Sequence, residues 1–350
     1  MKSILLTGGA GFIGSHTCLS LLENGFEIFV IDSYVNSSSK SLQNVLKILN
    51  KDNKDRKNSL NLFEGDLKNK KDIEAIFQKA KEANKSIEAV IHFAGLKSVA
   101  ESVAYPLSYW ENNFYGTINL LKIMEKYNCK SIIFSSSATV YRSKKNQLLS
   151  EKDECSPINP YGQTKLAIEK LLNDIYRSAP SEWRIASLRY FNPVGAHESG
   201  LIGEAPSGKP NNLYPQITKV ALGKDSEIKI FGSDWPTPDG TGIRDYIHVM
   251  DLSEGHVSAL KYILKEKPQI ITLNLGTGKG ISVKEFIRTF EKINKVEIPF
   301  SYVERRPGDN AFVVADNSLA KSILKWEPIR DIEDVCKNGW NWQLKFPNGY

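Results

Sequence analysis

The chain has 350 residues, of which 46 are Lys or Arg and 40 are Asp or Glu, giving a formal net charge of +6. This length suffices for a large buried core, and the mild basic excess favours an anionic small ligand over a nucleic acid. No stretch is long and apolar enough to predict a membrane span, and four cysteines without metal-ligand spacing predict reduced thiols in a cytoplasmic protein that binds no metal.

Short apolar runs alternate with longer amphipathic segments through the first 190 residues. The apolar runs predict strands, and the amphipathic segments predict helices. Because the runs are apolar throughout, they predict a parallel sheet buried on both faces, in a doubly wound Rossmann-type α/β fold. The polar stretch 36–58 carries no predicted element. The predicted strands are 3–7, 27–31, 60–64, 89–93, 131–135 and 184–189, and the predicted helices are 12–24, 72–83, 107–127 and 160–178.

The alternation breaks after Tyr190, where 192–215 and 232–244 are rich in Gly, Pro, Asn and Asp and predict loops. Three helices are predicted further on, at 249–264, 283–293 and 331–344, with a strand at 271–275. We therefore expect a Rossmann domain over 1–190 and a smaller C-terminal α/β substrate-binding lobe over 191–350, parts of which cross back to the first domain. Such a lobe would cap the edge at which open α/β sheets bind ligands.

The first predicted strand is followed by a glycine-rich turn, Gly8-Gly9-Ala10-Gly11-Phe12-Ile13-Gly14, that opens a helix. In this context a glycine turn binds the pyrophosphate of a dinucleotide, since the backbone approaches closely and the helix N-terminus offers free N–H groups. Asp32 ends the second strand, and its carboxylate suits the ribose hydroxyls of NAD and repels the 2′-phosphate of NADP. The turn therefore predicts NAD. Asp66 after the third strand suits either the adenine amino group or a simple turn.

Tyr161 and Lys165 are four residues apart on a predicted helix and therefore share one face. We expect the Lys165 ammonium to lower the pKa of the Tyr161 phenol toward neutral pH, as a general base requires. Ser137 follows the fifth strand, where its hydroxyl is placed to hydrogen-bond a reacting alcohol or carbonyl. A Tyr–Lys pair alone also fits a surface helix, but together with Ser137 and the NAD turn it favours catalysis.

Over essentially its whole length the sequence resembles the extended short-chain dehydrogenase/reductases, and among them the UDP-glucose 4-epimerase family. The segments that carry the resemblance are Thr7–His16, His92–Lys97, Phe134–Tyr141, Tyr161–Lys165, Arg189–Ala196, Pro210–Leu213, Asp239–Asp251 and Arg305–Asp309. The resemblance implies reversible 4-epimerisation of UDP-glucose and UDP-galactose, through a 4-keto intermediate and tightly bound NAD. It also implies a homodimer in which the helices 107–127 and 161–176 form a four-helix bundle.

The same resemblance implies which residues contact the cofactor and the UDP-hexose. Cofactor contacts are implied for Gly8, Gly11, Phe12, Ile13, Gly14, Asp32, Asn36, Ser37, Asp66, Leu67, Phe93, Ala94, Gly95, Lys97, Asn112, Ser137, Tyr161, Lys165 and Phe191. Substrate contacts are implied for Lys97, Ser137, Tyr161, Asn192, Asn212, Leu213, Ile230, Phe231, Arg244, Arg306, Asp309 and Val313. Charge independently favours Arg244 and Arg306, because two phosphates call for fork-shaped cationic donors.

The chain departs from the family pattern at two places. Arg142 stands where relatives usually have Gly, and the basic pair Lys144-Lys145 follows it; the sequence does not explain this change. Val313 stands where enzymes restricted to plain hexoses carry a bulky Tyr. We therefore expect room for a 2-acetamido group and additional activity on UDP-N-acetylglucosamine and UDP-N-acetylgalactosamine.

Three alternatives stay open on the same fold. A nucleotide-sugar 4,6-dehydratase carries Asp-Glu directly after the threonine that corresponds to Thr139, where this chain has Val140-Tyr141. A UDP-glucuronate decarboxylase differs in releasing CO₂ from its substrate. A non-catalytic NAD-binding protein would lack the tyrosine that stands here at Tyr161. No membrane or nucleic-acid partner is predicted.

Overall fold

The computed structural model describes residues 1–51, 59–142, 147–206, 212–306 and 309–350, so Lys144-Lys145 and parts of Pro210–Leu213 and Arg305–Asp309 lie outside it. The strands in chain order are Ser3–Thr7 (β1), Glu27–Asp32 (β2), Leu60–Glu64 (β3), Ile87–His92 (β4), Ser131–Ser137 (β5), Arg184–Tyr190 (β6), Asn192–Val194 (β7), Ile228–Phe231 (β8), Ile243–Arg244 (β9), Tyr246–His248 (β10), Gln269–Leu275 (β11), Ile281–Ser282 (β12), Phe300–Val303 (β13) and Phe312–Val313 (β14). The α-helices in chain order are Phe12–Glu23 (α1), Ser39–Lys51 (α2), Lys70–Glu82 (α3), Val99–Ala104 (α4), Pro106–Tyr109 (α5), Gly116–Lys126 (α6), Pro160–Ser178 (α7), Leu213–Ala221 (α8), Val249–Lys265 (α9), Val283–Asn294 (α10), Ser318–Leu324 (α11) and Ile332–Lys345 (α12).

Seven parallel strands of the described chain form one sheet, in the order β11-β6-β5-β4-β1-β2-β3. Alternate residues of β1 face opposite helix layers, with Ile4 and Leu6 in the core cluster shared with α1 and Leu5 in the cluster on the other face. These features confirm the predicted doubly wound α/β fold. The strand order reverses between β1 and β4, where Thr7 pairs with His92, and a ligand is expected at the carboxyl edge there.

The seventh strand of this sheet comes from the second half of the chain. β11 pairs with β6, with Leu273 opposite Leu188. α9 packs on α1, and Leu19 and Leu260 belong to the same buried cluster. The described elements after Tyr190 thus complete the main sheet and also build a smaller lobe. Its strands form the pairs β7–β10 and β8–β13 and the three-stranded sheet β12-β9-β14, and its core is a separate cluster that includes Ile217, Phe286 and Phe290.

The prediction that 36–58 carries no element was wrong, because Ser39–Lys51 forms α2. Leu42, Val45 and Leu49 recur at helical spacing and are fully buried against the sheet. Polar residues between them lower the mean hydropathy of the segment while leaving this apolar stripe intact.

The predicted helix 107–127 is interrupted. A π-helical turn at Trp110–Tyr115 separates α5 from α6. This wider turn places Asn113 in the interior of the protein, where it is buried. Such turns often lie at functional sites, and Asn113 meets the loop after β4 here.

The predicted loops 192–215 and 232–244 contain β7, β9 and the start of α8. The strands are two or three residues long, too short for alternation to reveal them. Their pairing partners lie far away in the sequence, so tertiary contacts rather than local pattern determine them.

Candidate active site

Glycines build the turn between β1 and α1. At Gly8 the backbone has φ = 69°, and a Cβ atom there would lie 2.7 Å from the Ala94 nitrogen. A Cβ atom on Gly14 would lie 2.7 Å from the Cα atom of Gly9, so the turn closes only without these side chains. Gly11 precedes α1, and no side chain among the described residues caps that helix start. The first N–H groups of α1 are therefore available to an anion.

Asp32 lies beside this turn with its carboxylate buried. Oδ2 accepts a hydrogen bond from the Ala10 nitrogen at 2.9 Å. Oδ1 accepts one from the Tyr34 nitrogen at 3.0 Å and one from the Ser37 hydroxyl at 2.7 Å. The structure thus joins Asp32 and Ser37, and it fixes a negative charge next to the glycine turn.

The loop after β4 is held against the same turn. The Phe93 nitrogen donates to the Thr7 carbonyl at 3.0 Å, and the Ala94 nitrogen donates to the Thr7 hydroxyl at 3.2 Å. Gly95 follows with φ = 155°, where a Cβ atom would lie 3.0 Å from the Asn113 amide oxygen. Phe93 and Ala94 therefore lie directly against Gly8, and Gly95 connects them to Asn113.

Asn113 was missed by sequence reasoning, although the neighbouring Asn112 was assigned to the site. The Asn113 amide accepts from the Leu96 nitrogen at 2.8 Å and donates to the Leu96 oxygen at 3.0 Å. It also donates to the Thr164 hydroxyl on α7 at 3.2 Å. The buried Asn113 amide thus connects the loop after β4 to α7, the helix that carries Tyr161. The Asn112 amide makes no such connection and donates to the Ser108 carbonyl.

Ser137 and Tyr161 meet where β5 ends and α7 begins. The Ser137 hydroxyl accepts from the Thr139 nitrogen at 3.2 Å and caps the short 3₁₀ turn that follows. A Cβ atom on Gly162 would lie 2.7 Å from the Thr139 oxygen, so glycine lets α7 start close to this turn. The close approach brings the Tyr161 side chain near enough to Ser137 for the serine hydroxyl to influence the pKa of the phenol.

Lys165 lies one helical turn after Tyr161 and is buried. Its Nζ donates to the Ser135 carbonyl at 2.7 Å and lies 5.8 Å from the centre of the Tyr161 ring. Burial lowers the pKa of Lys165 to about 8, against the opposing effect of the Glu169 carboxylate. The structure thus brings together the three predicted catalytic residues, Ser137, Tyr161 and Lys165.

The expected lowering of the Tyr161 pKa was wrong for the protein alone. Burial raises the pKa of Tyr161 above its usual value, and the hydrogen bond with Ser137 counteracts this effect only in part. Helical spacing shows that Lys165 shares a face with Tyr161, but it does not show that Lys165 is buried and Tyr161 partly buried. Desolvation therefore dominates.

A buried ion pair lies beneath Lys165 and was also missed. Arg189 of β6 donates to Glu169 of α7 through Nε at 3.0 Å and Nη2 at 2.6 Å. The Ser136 hydroxyl donates to the same carboxylate at 2.5 Å. The Glu–Arg pair places a compensated negative charge near Lys165. The signal available in the sequence was the spacing of four residues between Lys165 and Glu169.

The smaller lobe brings together four predicted substrate residues in two pairs. Arg244 of β9 forms an ion pair with Asp309. The Arg306 guanidinium lies 3.7 Å from the centre of the Phe231 ring. Val313 of β14 pairs in register with Arg244 and packs partly buried against an apolar cluster that includes Phe191. Two cationic forks and an aromatic face thus lie in one lobe.

Lys97 and Asn212 approach each other through Glu204, a residue that the sequence did not single out. The Lys97 ammonium lies 3.0 Å from Glu204 Oε1, and the Asn212 amide donates to the same oxygen at 3.3 Å. Asn212 directly precedes α8, which begins at Leu213.

The other predicted site residues make none of the contacts described above with the catalytic or substrate-binding groups. Asn36 is exposed after β2, Leu67 is buried after β3, and Ile230 is buried in the core of the smaller lobe. Asp66 Oδ1 accepts from the Lys68 nitrogen at 2.9 Å, as a turn aspartate does. The Asn192 nitrogen donates to the Asp245 carbonyl at 3.0 Å. Phe12 and Ile13 form the first turn of α1, with Ile13 against the main core.

Comparison with known proteins gives full-length similarity. The family model described as GDP-mannose 4,6 dehydratase matches residues 5–339. The UDP-glucose 4-epimerase of Bacillus subtilis (strain 168) is 50% identical over 348 residues, which cover 99% of this chain and 98% of that enzyme. The crystal structure of UDP-glucose 4-epimerase from Bifidobacterium longum in complex with NAD+ and UDP is 46% identical, with a TM-score of 0.91 and 100% of both chains covered. The UDP-Glc/GlcNAc 4-epimerase from Campylobacter jejuni is 34% identical, with a TM-score of 0.82, over 99% of this chain and 100% of that one.

The chain belongs to the UDP-glucose 4-epimerase family. It is therefore an isomerase that epimerises UDP-glucose at carbon 4 and uses NAD as its cofactor. The described residues of this epimerase fit NAD, because the glycine turn leaves a cradle that a Cβ atom would fill and Asp32 places a carboxylate beside it. The matched family model is named after a dehydratase, but the residues that follow Ser137 of β5 differ from those of a dehydratase. The epimerase has the buried, non-acidic Val140 and Tyr141 where dehydratases carry Asp-Glu.

The described residues of the epimerase lack two features. None of their helices has the length and apolar character needed to cross a membrane. None of their clusters of three or more His, Cys, Asp or Glu side chains is placed to hold a metal ion.

Proposed function

We propose that this chain interconverts UDP-glucose and UDP-galactose at Tyr161, with residues 1–190 holding NAD and residues 191–350 supplying the UDP-sugar site. The observation that carries the proposal is the meeting of Ser137, Tyr161 and Lys165 at the carboxyl edge of the sheet that also carries the glycine turn. The same reaction is supported by relatives that are named UDP-glucose 4-epimerase and are similar to this chain over their full length.

Each catalytic side chain has a distinct role. When bound, NAD supplies a hydride acceptor and donor and a positive charge at its nicotinamide ring. Tyr161 takes the proton from the 4-hydroxyl of the hexose and later returns it on the other face, while Ser137 hydrogen-bonds the oxygen at carbon 4. Lys165 carries its charge below a pH of about 8, and this charge favours the phenolate that burial disfavours.

The substrate lobe holds the nucleotide more firmly than the sugar. Arg244 and Arg306 are fork-shaped donors suited to the two phosphates. Phe231, whose ring is covered on one face by the Arg306 guanidinium, is assigned to the uracil side of the site. The cofactor side of the site is assigned to the residues named above around Gly8, Asp32 and Phe93. Because binding energy rests on the UDP, the 4-keto hexose is free to turn between the two hydride transfers.

The proposed reaction is tested on protein purified without added cofactor. We expect co-purified NAD and conversion of UDP-galactose to UDP-glucose. Tyr161→Phe should lower kcat by a factor of about 100 or more, because general acid–base catalysis contributes about 10²–10⁴-fold. Tyr176→Phe on the same helix is the matched control and should retain wild-type turnover. Unchanged turnover in Tyr161→Phe, or loss of water or CO₂ from the sugar, would contradict the proposal.

N-acetylated UDP-hexoses are proposed as additional substrates. The partly buried Val313 is small, and it lies in register with Arg244 beside the cluster that contains Phe191. The name of the UDP-Glc/GlcNAc 4-epimerase from Campylobacter jejuni supports such dual use within the fold.

A homodimer is proposed from an exposed apolar surface on α4, α5 and the π-helical turn. Its members are Val99, Val103, Tyr105, Leu107, Trp110 and Tyr115. The side chain of Leu107 is 83% exposed. Contiguous patches of this kind mark interaction sites, and α7, which contacts this region, supplies the second helix of the proposed bundle.

A cytoplasmic location is supported by the four free thiols.

A further inference from the structure

Glu204 connects the cofactor side of the site with the substrate side. Lys97 lies in the loop between β4 and α4, whereas Asn212 precedes α8 of the smaller lobe. Both side chains donate to the same oxygen of Glu204, at 3.0 Å and 3.3 Å. A single carboxylate thus sets the distance between Lys97, which is assigned to both the cofactor and the substrate, and Asn212, which is assigned to the substrate alone.

The carboxylate is the fixed member of this trio. The Glu204 side chain is 8% exposed, whereas the Lys97 side chain is 56% exposed. A carboxylate withdrawn from water needs charged or polar donors, which Lys97 and Asn212 supply. The buried Glu204 therefore anchors a long lysine side chain that would otherwise sample many rotamers.

An aromatic cluster formed by Trp342, Phe346 and Tyr350 holds the backbone around Glu204. The Trp342 ring stacks on Phe346 at 4.4 Å, and its Nε1 donates to the Glu204 carbonyl at 3.3 Å. The Tyr350 hydroxyl accepts from the Gly203 nitrogen at 3.2 Å. A Cβ atom on Gly203 would overlap the Trp342 ring, so glycine allows this close contact. The position of Glu204 is thereby set by the end of α12.

We propose that Glu204 is a positioning residue that couples the retention of NAD to the binding of the UDP-sugar, through Lys97 and Asn212. The proposal rests on the proposed function of these two residues. The alternative is that Glu204 opposes binding. A carboxylate near bound phosphates repels them, so a Glu204 that only competes with the ligands for Lys97 and Asn212 would weaken binding. The two roles predict changes of opposite sign when the carboxylate is removed.

The test compares Glu204→Ala and Glu204→Gln with the wild type. The readouts are NAD bound per chain after gel filtration, KM and kcat for UDP-galactose, and the thermal unfolding midpoint. We expect Glu204→Ala to raise KM about tenfold or more and to lose NAD, since a charge-assisted hydrogen bond is removed, with kcat changed by less than about threefold. Glu204→Gln keeps an acceptor oxygen and should recover part of both properties.

Two controls separate positioning from general damage. Glu198→Gln removes the same charge from an exposed side chain on the neighbouring loop and should behave as wild type. In a Lys97→Met background, Glu204→Ala should cause no further loss of NAD, because the lysine through which it acts is absent.

Three results would overturn the proposal. They are a KM that stays unchanged or falls in Glu204→Ala, NAD retention equal to that of Glu198→Gln, or full additivity with Lys97→Met. A wild type without epimerase activity would refute the proposed function instead, and NAD retention in the same variants would still decide the role of Glu204.

Discussion

Val313 is a single side chain on whose size the proposed acceptance of N-acetylated sugars depends. It pairs with Arg244 across β9 and β14, and it packs against the cluster that contains Val140 and Phe191. Ala138, the residue after the proposed catalytic Ser137, borders the same cluster. In the proposed substrate site, a larger side chain at position 313 would therefore reduce the space available to the hexose.

We expect Val313→Tyr to lower kcat/KM for UDP-N-acetylglucosamine about tenfold or more and to change that for UDP-galactose by less than about threefold. A bulky ring would exclude the acetamido group, and such steric discrimination in a pocket is worth about 10–200-fold. Steady-state kinetics on both substrates check this outcome. Phe312→Tyr, at the next position, is the control and should leave the ratio unchanged. Equal failure of the wild type and Val313→Tyr on the N-acetylated sugar would refute the dual specificity.

Individual residues differ in how far the sequence reveals them. Asp32 and Tyr161 belong to motifs whose spacing reflects local geometry, so both were predictable. Asn113, Glu169 and Glu204 also contact residues that lie 17, 20 and 107 positions away, and the sequence around each of them does not reveal these contacts. The direction of the Tyr161 pKa was predicted wrongly for the same reason, since burial depends on the whole fold.

At the scale of elements, the Glu169–Arg189 pair fastens α7 to β6. Both side chains are buried, and Ser136 of β5 donates to the same carboxylate. The Arg189 guanidinium also lies 4.8 Å from the centre of the Tyr141 ring. Three elements around Lys165 are thus held by one paired charge. Its energetic importance becomes apparent when a single partner is removed.

Arg189→Met should lower the free energy of unfolding by about 3–5 kcal/mol, because it leaves the Glu169 charge buried without its partner. Urea denaturation of the NAD-loaded protein measures the change. Arg184→Met on the same strand is the matched control, since Arg184 is less buried and donates to the Glu266 carbonyl. Adding Glu169→Gln to Arg189→Met should restore part of the stability. A loss no larger than that of Arg184→Met would contradict this account.

Element prediction succeeded where the periodicity is long and uninterrupted. α7 was predicted with its observed ends, because Asn159 and Pro160 mark its start and apolar residues recur along it. The helix predicted over 107–127 failed at the π-helical turn, whose altered hydrogen bonding leaves the amino-acid pattern helical. α2 was missed although its apolar stripe was visible, so that error came from reading mean polarity instead of period.

At the scale of the whole molecule, the apolar surface on α4, α5 and the π-helical turn is the interface of the proposed dimer. Leu107→Glu should convert the proposed dimer to a monomer, because it places a charge in the centre of an apolar contact. Light scattering after gel filtration measures the mass. Ile329→Glu, at an exposed apolar side chain elsewhere, is the control and should stay dimeric. A wild type that is monomeric across micromolar concentrations would remove the dimer from the proposal.

The fold class was predictable from the alternation of strands and helices in the first half. The return of α9 and β11 to the main sheet was expected only in general terms, because nothing local tells a strand at 269–275 which edge it will join. That choice is made by burial: β11 covers the edge of β6, and α9 covers α1.

This return has a consequence for biosynthesis on the ribosome. Roughly 240 residues separate Glu23, which ends α1, from Lys265, which ends the helix that covers it. At about 5–20 residues per second, roughly 10 to 50 s pass between the two during translation. Throughout that interval the cofactor-binding half of the nascent chain lacks the cover over α1 and the last strand of its sheet. An uncovered apolar helix face and an unpaired strand edge favour aggregation during this interval, and the seven-stranded sheet is complete only after β11 has been translated.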